Sequence, residues 1–247
     1  METRHEPAVN TQSFGKKVHP AVIAVWAAFI AIAQMLPVIP VFGTGATFGL
    51  SDSVVVLSGI LFGPWAGALA SAIGGFLGQI IAPHGAVFGV VTFICPALAA
   101  MVAGLLMKKK WPHVIGIFAI LGLAWFAFPL GRTAWFQPVV NYTPSILLAY
   151  PAATWGVNLI RSQDFKKMFV GITLLCTIGG CASLAIGNTM ALPMFALPRE
   201  LWLAVLPISV PQRILFAILA AVIGVPLLIG LPKIGVTVGT KLLDDNN

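Results

Sequence analysis

The chain is 247 residues long, 59% hydrophobic and only 9% charged, where a soluble domain carries about 25% charged residues; a water-soluble surface is excluded. Its 14 Lys and Arg against seven Asp and Glu give a formal charge of +7, but the cations sit in clusters between apolar blocks, which excludes a nucleic-acid stripe. A bilayer core about 30 Å thick takes roughly 20 apolar residues per helix, so there is room for about six to eight crossings. The expected fold class is all-α, a polytopic transmembrane helical bundle, with polar tails at 1–19 and 236–247 around one membrane domain at 20–235.

The first predicted helix covers 20–41. It follows Lys16 and Lys17, as a secretory signal would, but lacks a convincing small-residue cleavage site and reads as a retained helix. Within it Ala24 and Ala28, and Ala27 and Ala31, lie one turn apart on neighbouring strips.

Next come Phe42-Gly43-Thr44-Gly45-Ala46-Thr47-Phe48-Gly49-Leu50-Ser51 and Asp52, a Gly/Thr loop ending in a helix start. Asp52 is the only acid between Glu6 and Asp164. Ser51 or Asp52 can serve as a helix N-cap; alternatively the loop forms a lid over a substrate.

Residues 53–107 contain no Asp, Glu, Lys or Arg. The first predicted helix there, 53–82, is too long for one straight crossing, and Gly63-Pro64 is its natural break. Gly59, Gly63, Gly67, Ser71 and Gly75 recur every four residues, with Ala66, Ala70, Gly74 and Gly78 beside them. In lipid such small-residue rows let backbones approach closely enough for dispersion to hold helices together. A further helix is predicted at 85–107.

After Lys108, Lys109 and Lys110 helices are predicted at 114–131 and 143–160. Between them, Arg132, Trp135, Gln137, Asn141 and Tyr142 combine a cation, an indole, two amides and a phenol at a helix end, a composition suited to interfacial anchoring. After Arg161, Lys166 and Lys167 come helices at 168–192 and 211–231. Arg213, opening the last of these, and Arg199-Glu200 before it read as boundary residues that snorkel to headgroups. If every basic cluster faces the cytoplasm, each intervening stretch crosses an even number of times, which favours six or eight crossings and places both termini inside.

Polar side chains at membrane depth are functional candidates: Gln34, Gln79, Asn158, Asn188 and Thr189 fall in or near apolar spans. The three cysteines, Cys95, Cys176 and Cys181, lie in apolar stretches and read as small core residues. The sequence has no G-x-x-x-x-G-K-[ST] phosphate loop and no H-E-x-x-H motif, and its histidines lack metal-ligand spacing. No paired carboxylates lie inside a span. Catalytic residues, metal ligands and cofactors are therefore expected to be none, leaving a passive binder or a subunit that depends on an outside motor.

The run from Leu57 to Gly75, with Gly63-Pro64-Trp65-Ala66-Gly67 at its centre, and the final span from Pro211-Gln212-Arg213 resemble the second and last helices of the substrate-binding S components of energy-coupling factor (ECF) transporters. S components usually have six helices, and this chain has room for more. The resemblance implies a membrane-embedded capture subunit of an ATP-driven importer for a vitamin-like small molecule or metal ion. Its partners would be a transmembrane coupling subunit, ATPase subunits and the lipid bilayer, with no nucleic acid. It also implies that Ala24, Ala27, Ala28 and Ala31 contact the coupling subunit. The expected substrate pocket opens outward beneath the Gly/Thr loop and is lined by Thr44, Thr47, Asp52, Trp135, Asn141 and Asn188. The alternative reading is a self-sufficient facilitator or channel for a small solute.

Overall fold

The computed structural model describes residues 18–40, 47–49, 51–162, 164–195 and 197–239. The described residues form an all-α bundle of apolar helices with one short hairpin. Helix α1 (Pro20–Ala33) is followed by the antiparallel strands β1 (Pro37–Pro40) and β2 (Thr47–Gly49). Helices α2 (Ser51–Phe62) and α3 (Pro64–Ile81) come next, then a 3-10 turn at Gly89–Phe93 running into α4 (Ile94–Met107). Helix α5 (Trp111–Ala127) leads to two short helices, α6 (Pro129–Thr133) and α7 (Phe136–Asn141). Helix α8 (Thr143–Pro151) passes through a π-helical turn at Ala152–Gly156 into α9 (Val157–Arg161). The long helices α10 (Phe165–Met194) and α11 (Arg199–Gly230) complete the bundle. Among the described residues, four stretches are long and apolar enough to cross a bilayer by length and composition: Pro64–Ile81, Gly89–Met107, Phe165–Met194 and Arg199–Ile234.

The expected break at Gly63-Pro64 is where α2 ends and α3 begins. Gly63 has φ +82°, a conformation open to glycine and costly for other residues, and Pro64 pre-sets the first turn of α3. The small-residue ladder is consequently not one continuous face. It folds back on itself, so that a Cβ on Gly67 of α3 would stand 2.7 Å from Gly59 Cα of α2. Across the same seam the hydroxyls of Ser58 and Ser71 meet at 2.7 Å. α4 joins from the other side: a Cβ on Gly59 would stand 1.9 Å from the Ala100 carbonyl oxygen, and one on Gly104 would stand 2.4 Å from Pro64 N. Backbone-to-backbone contact of this kind is what holds helices together where lipid removes the hydrophobic drive.

These contacts also fix direction. Gly63 faces the Lys108 side chain, and Gly239 N–H donates to the Leu61 carbonyl at 2.8 Å. On α1 and α3, Ala27 is beside Gly74 and Gln34 beside Gly78, so the two helices run the same way; α10 runs opposite to α4, with Gly179 beside Ala99 and Gly187 beside Cys95. The turns bearing Lys108 to Lys110, Arg161 to Lys167 and Lys233 therefore share one end of the bundle, as the even-crossing argument requires.

Helix α11 begins twelve residues earlier than the sequence predicts. Pro207 and Pro211 lie inside it; each removes one backbone hydrogen bond, which neighbouring helices allow in a membrane setting more readily than the prolines suggest.

Candidate functional site

The inner face of α11 carries a file of polar groups from one end of the bundle to its middle. The deepest is Arg213, near the centre of the 32-residue helix. It is only 3% exposed, and its Nη1 donates to Asp52 Oδ2 at 3.1 Å. The expectation that Arg213 snorkels to headgroups is overturned: its side chain is buried among helices, where a carboxylate offsets the cost of burying the charge. Asp52, 28% exposed, lies in the first turn of α2. Ten residues of helix separate it from Phe62, about 15 Å at 1.5 Å per residue, which is about half of a 30 Å hydrocarbon core.

The ion pair borders a small cleft lined by Asp52, Ser53, Val56, Cys176, Gly180, Arg213 and Phe216 among others, with a cavity volume of about 10 Å3, room for about one water. Pockets that enclose a small molecule run from about 300 Å3 upward, so the cleft in this structure is a water-sized space beside the ion pair.

One turn before Arg213, Ser209 Oγ donates to Asn141 Oδ1 at 2.9 Å. Asn141 Nδ2 donates to the Gln137 carbonyl at 3.1 Å and also to the Gln137 side-chain oxygen. Gln137 Nε2 in turn donates to the Trp202 carbonyl at 3.1 Å, and Asn188 Nδ2 reaches Gln137 Oε1 at 3.5 Å. The network thus ties α7 to α10 and α11. Beside it, the Tyr142 hydroxyl donates to the Ala185 carbonyl at 3.1 Å.

Above the amides is an aromatic cluster. Trp125 and Trp202 meet edge to face at 5.2 Å, Phe88 and Phe195 approach to 5.9 Å, and Phe128 and Phe136 pack around them. Trp125 Nε1 donates to the Gly131 carbonyl at 2.8 Å, whereas the buried Trp202 indole N–H has no hydrogen-bond partner. Aromatic faces beside amides provide both stacking area and hydrogen bonds for a flat or amphipathic organic molecule.

Of the residues expected to line a pocket, Asn141 and Asn188 come together in the network, and Asp52 lies deeper, paired with the arginine on the same face of α11. Trp135 is 56% exposed and packs against Phe136, at the bundle surface and outside the network. Thr44 lies outside the described residues, as does most of the loop expected to act as a lid; Thr47 falls on β2. Sequence reasoning missed Gln137 as the hub, Ser209 and Ser53. The available signal was the i, i+4 spacing of Ser209 and Arg213, hidden by ending the helix at Pro211. Asn158 is exposed, and the three cysteines are buried and unpaired. Of the alanines expected to face a partner, Ala27 and Ala31 are buried in the bundle, while Ala24 and Ala28 are exposed.

Comparison with known proteins agrees with this architecture. An uncharacterized protein of Methanocaldococcus jannaschii is 26% identical over 179 residues, covering 72% of this chain and 60% of that protein; the chain thus spans well under two thirds of that relative's length. No solved structure matches the chain. The family described as ECF-type riboflavin transporter, S component, matches residues 16–160, from before α1 through nearly all of α9. That match covers more than half of the chain and carries the α2–α3 break, the small-residue seam and Asp52, so this multi-pass membrane protein belongs to the S-component family of ECF-type transporters, whose members are substrate-capture subunits.

Proposed function

We propose that the chain captures a vitamin-like small organic molecule and delivers it through an ECF module made of a transmembrane coupling subunit and ATPase subunits. The observation that carries this reading is the file of Trp202, Gln137, Asn141, Ser209, Arg213 and Asp52 along α11, because polar and ionised groups at membrane depth are retained where a substrate needs them. An organic ligand is favoured over a metal ion: among the described residues no three His, Cys, Asp or Glu side chains gather as ligands, and the groups that do converge are amides, hydroxyls and indoles. The family's description makes riboflavin the first ligand to offer. In this reading the pocket opens at the end opposite the lysine clusters, the basic end with both chain termini faces the cytoplasm, and the exposed Ala24 and Ala28 strip of α1 receives the coupling subunit.

The test is uptake of labelled riboflavin and other vitamins into cells or vesicles carrying this chain with and without an ECF module. Uptake that requires the module and stops on ATP depletion is the expected result. Flux through the chain alone, indifferent to ATP, would overturn the reading in favour of a facilitator.

A further inference from the structure

The turn between α4 and α5 holds a lysine in a conformation that belongs to glycine. Helix α4 closes in a Schellman pattern: Lys110 N–H donates to the Leu105 carbonyl and Lys109 N–H to the Leu106 carbonyl, both at 2.9 Å. The pattern requires a left-handed residue at position 109, and Lys109 has φ +57°, the only positive φ outside glycine among the described residues. Glycine is the usual occupant, because a Cβ there crowds the backbone. The charge is not needed to finish the helix, since Lys108 and Lys110 on either side already place cations at its negative pole. The Lys109 side chain is exposed. A residue kept at a conformational cost with its charge turned out of the fold points to use by something outside it.

Two other turns bring exposed cations to the same end of the bundle, Arg161, Lys166 and Lys167 around the start of α10 and Lys233 after α11. Asp164 is the one acid at this end among the described residues, and its Oδ1 accepts from the backbone N–H groups of Lys166 and Lys167 as the N-cap of α10. The cations stand where the apolar spans stop. Lys108 follows Met107, the last residue of one span; Lys166 and Lys167 lie in the first turn of another, and Lys233 in the last turn of a third. That is the depth of lipid headgroups. Beside them Phe165 is 59% and Ile234 75% exposed, apolar side chains at home against the acyl boundary. A phospholipid meets both needs at once, its tails covering the apolar side chains and an anionic headgroup facing the ammonium groups. A soluble anion would satisfy the charges alone.

We propose that the basic end of the bundle binds anionic phospholipid headgroups, with Lys109 Nζ in direct contact with the headgroup phosphate and the lysines of the other two turns adding to the attraction. The α4–α5 turn gives up the glycine its backbone would prefer in order to carry that contact. What the chain captures does not enter into this, so the lipid site stands or falls apart from the capture reading.

The experiment uses the full chain purified in detergent, with melting shifts and equilibrium binding measured for phosphatidylglycerol, phosphatidylcholine and water-soluble glycerol 3-phosphate. The parent should bind phosphatidylglycerol more tightly than phosphatidylcholine, with a gap that narrows as salt is raised, and should bind glycerol 3-phosphate far more weakly than either. Lys109→Gly should weaken phosphatidylglycerol binding about fivefold, the worth of one lysine at a charged membrane surface, yet melt at or above the parent when no lipid is added, because the left-handed turn is relieved. Lys109→Gln keeps the backbone cost and removes the charge; it should lose as much affinity and melt as the parent does. Equal binding of the two phospholipids overturns the proposal, and so does unchanged phosphatidylglycerol affinity in Lys109→Gln. Glycerol 3-phosphate bound as tightly as phosphatidylglycerol would assign the cations to a soluble phosphate instead. Loss of co-purification with the ECF module in Lys109→Gln, with no preference between the phospholipids, would assign them to an acidic protein surface; either result overturns the lipid site.

Discussion

The two halves of this bundle are held together by different means. Toward the lysine-bearing end, α2, α3 and α4 meet through Gly59, Gly67, Gly104 and the Ser58–Ser71 pair, with backbones in direct contact and little room between them. Toward the other end, α7, α10 and α11 meet through amides, indoles and the Ser209 hydroxyl. The first interface is made by backbones in contact, the second by polar side chains bonded to one another. On the capture reading, the first half carries the stability and the second the ligand chemistry.

Substitutions can test that division. The largest effect is expected from Gly59→Leu, whose side chain would have to displace the Ala100 carbonyl. Overpacking alone costs about 1–3 kcal/mol and a backbone clash costs more, so little monodisperse protein should survive size-exclusion chromatography in detergent. Gly116→Leu, at a position with open space around it, is the control and should behave as the parent does.

Asp52→Asn should come next, since it takes away the carboxylate facing a buried arginine, at a cost of about 3 kcal/mol. Adding Arg213→Gln should recover most of the lost melting temperature. If the double variant is no better than the single one, the ion pair is not what the arginine depends on. Asn141→Ala breaks the link between Ser209 and Gln137 and should cost about 1–2 kcal/mol. It should also weaken ligand binding, which Gly59 variants that still fold should not do selectively.

The smallest effect on stability is expected from Ala28→Leu, on the exposed strip of α1, within about 0.5 kcal/mol of the parent. Ala27→Leu, buried against α3, should cost about 1–3 kcal/mol. If the outer strip docks the coupling subunit, Ala28→Leu should reduce co-purification with the ECF module while leaving ligand affinity unchanged.

Parts of this organisation could be read along the chain. Gly63-Pro64 marked the boundary between α2 and α3, because a glycine that can adopt positive φ and a proline that starts a helix carry their conformational demands with them. Asn141, Asn188 and Asp52 stood out because polar groups are scarce in apolar segments. Arg213 was misplaced for an equally local reason: Pro207 and Pro211 resemble a helix boundary, and only packing against α10 and α7 carries the helix through them. Ser53 gave no signal, since a serine in a membrane helix ordinarily bonds to its own backbone, and the spacing of Ser209 to Arg213 was hidden by the same prolines.

By itself, then, the amino-acid sequence determined that the chain lives in a bilayer, where α2 gives way to α3 and which surfaces are small enough to touch, because hydropathy, proline, glycine and side-chain size act over a few residues. Only the tertiary structure decided that the small-residue ladder closes on itself, that Ala27 faces inward while Ala28 faces out, and that Asp52 meets Arg213, 161 positions away. Those outcomes depend on how helices cross, and a crossing belongs to two distant segments at once.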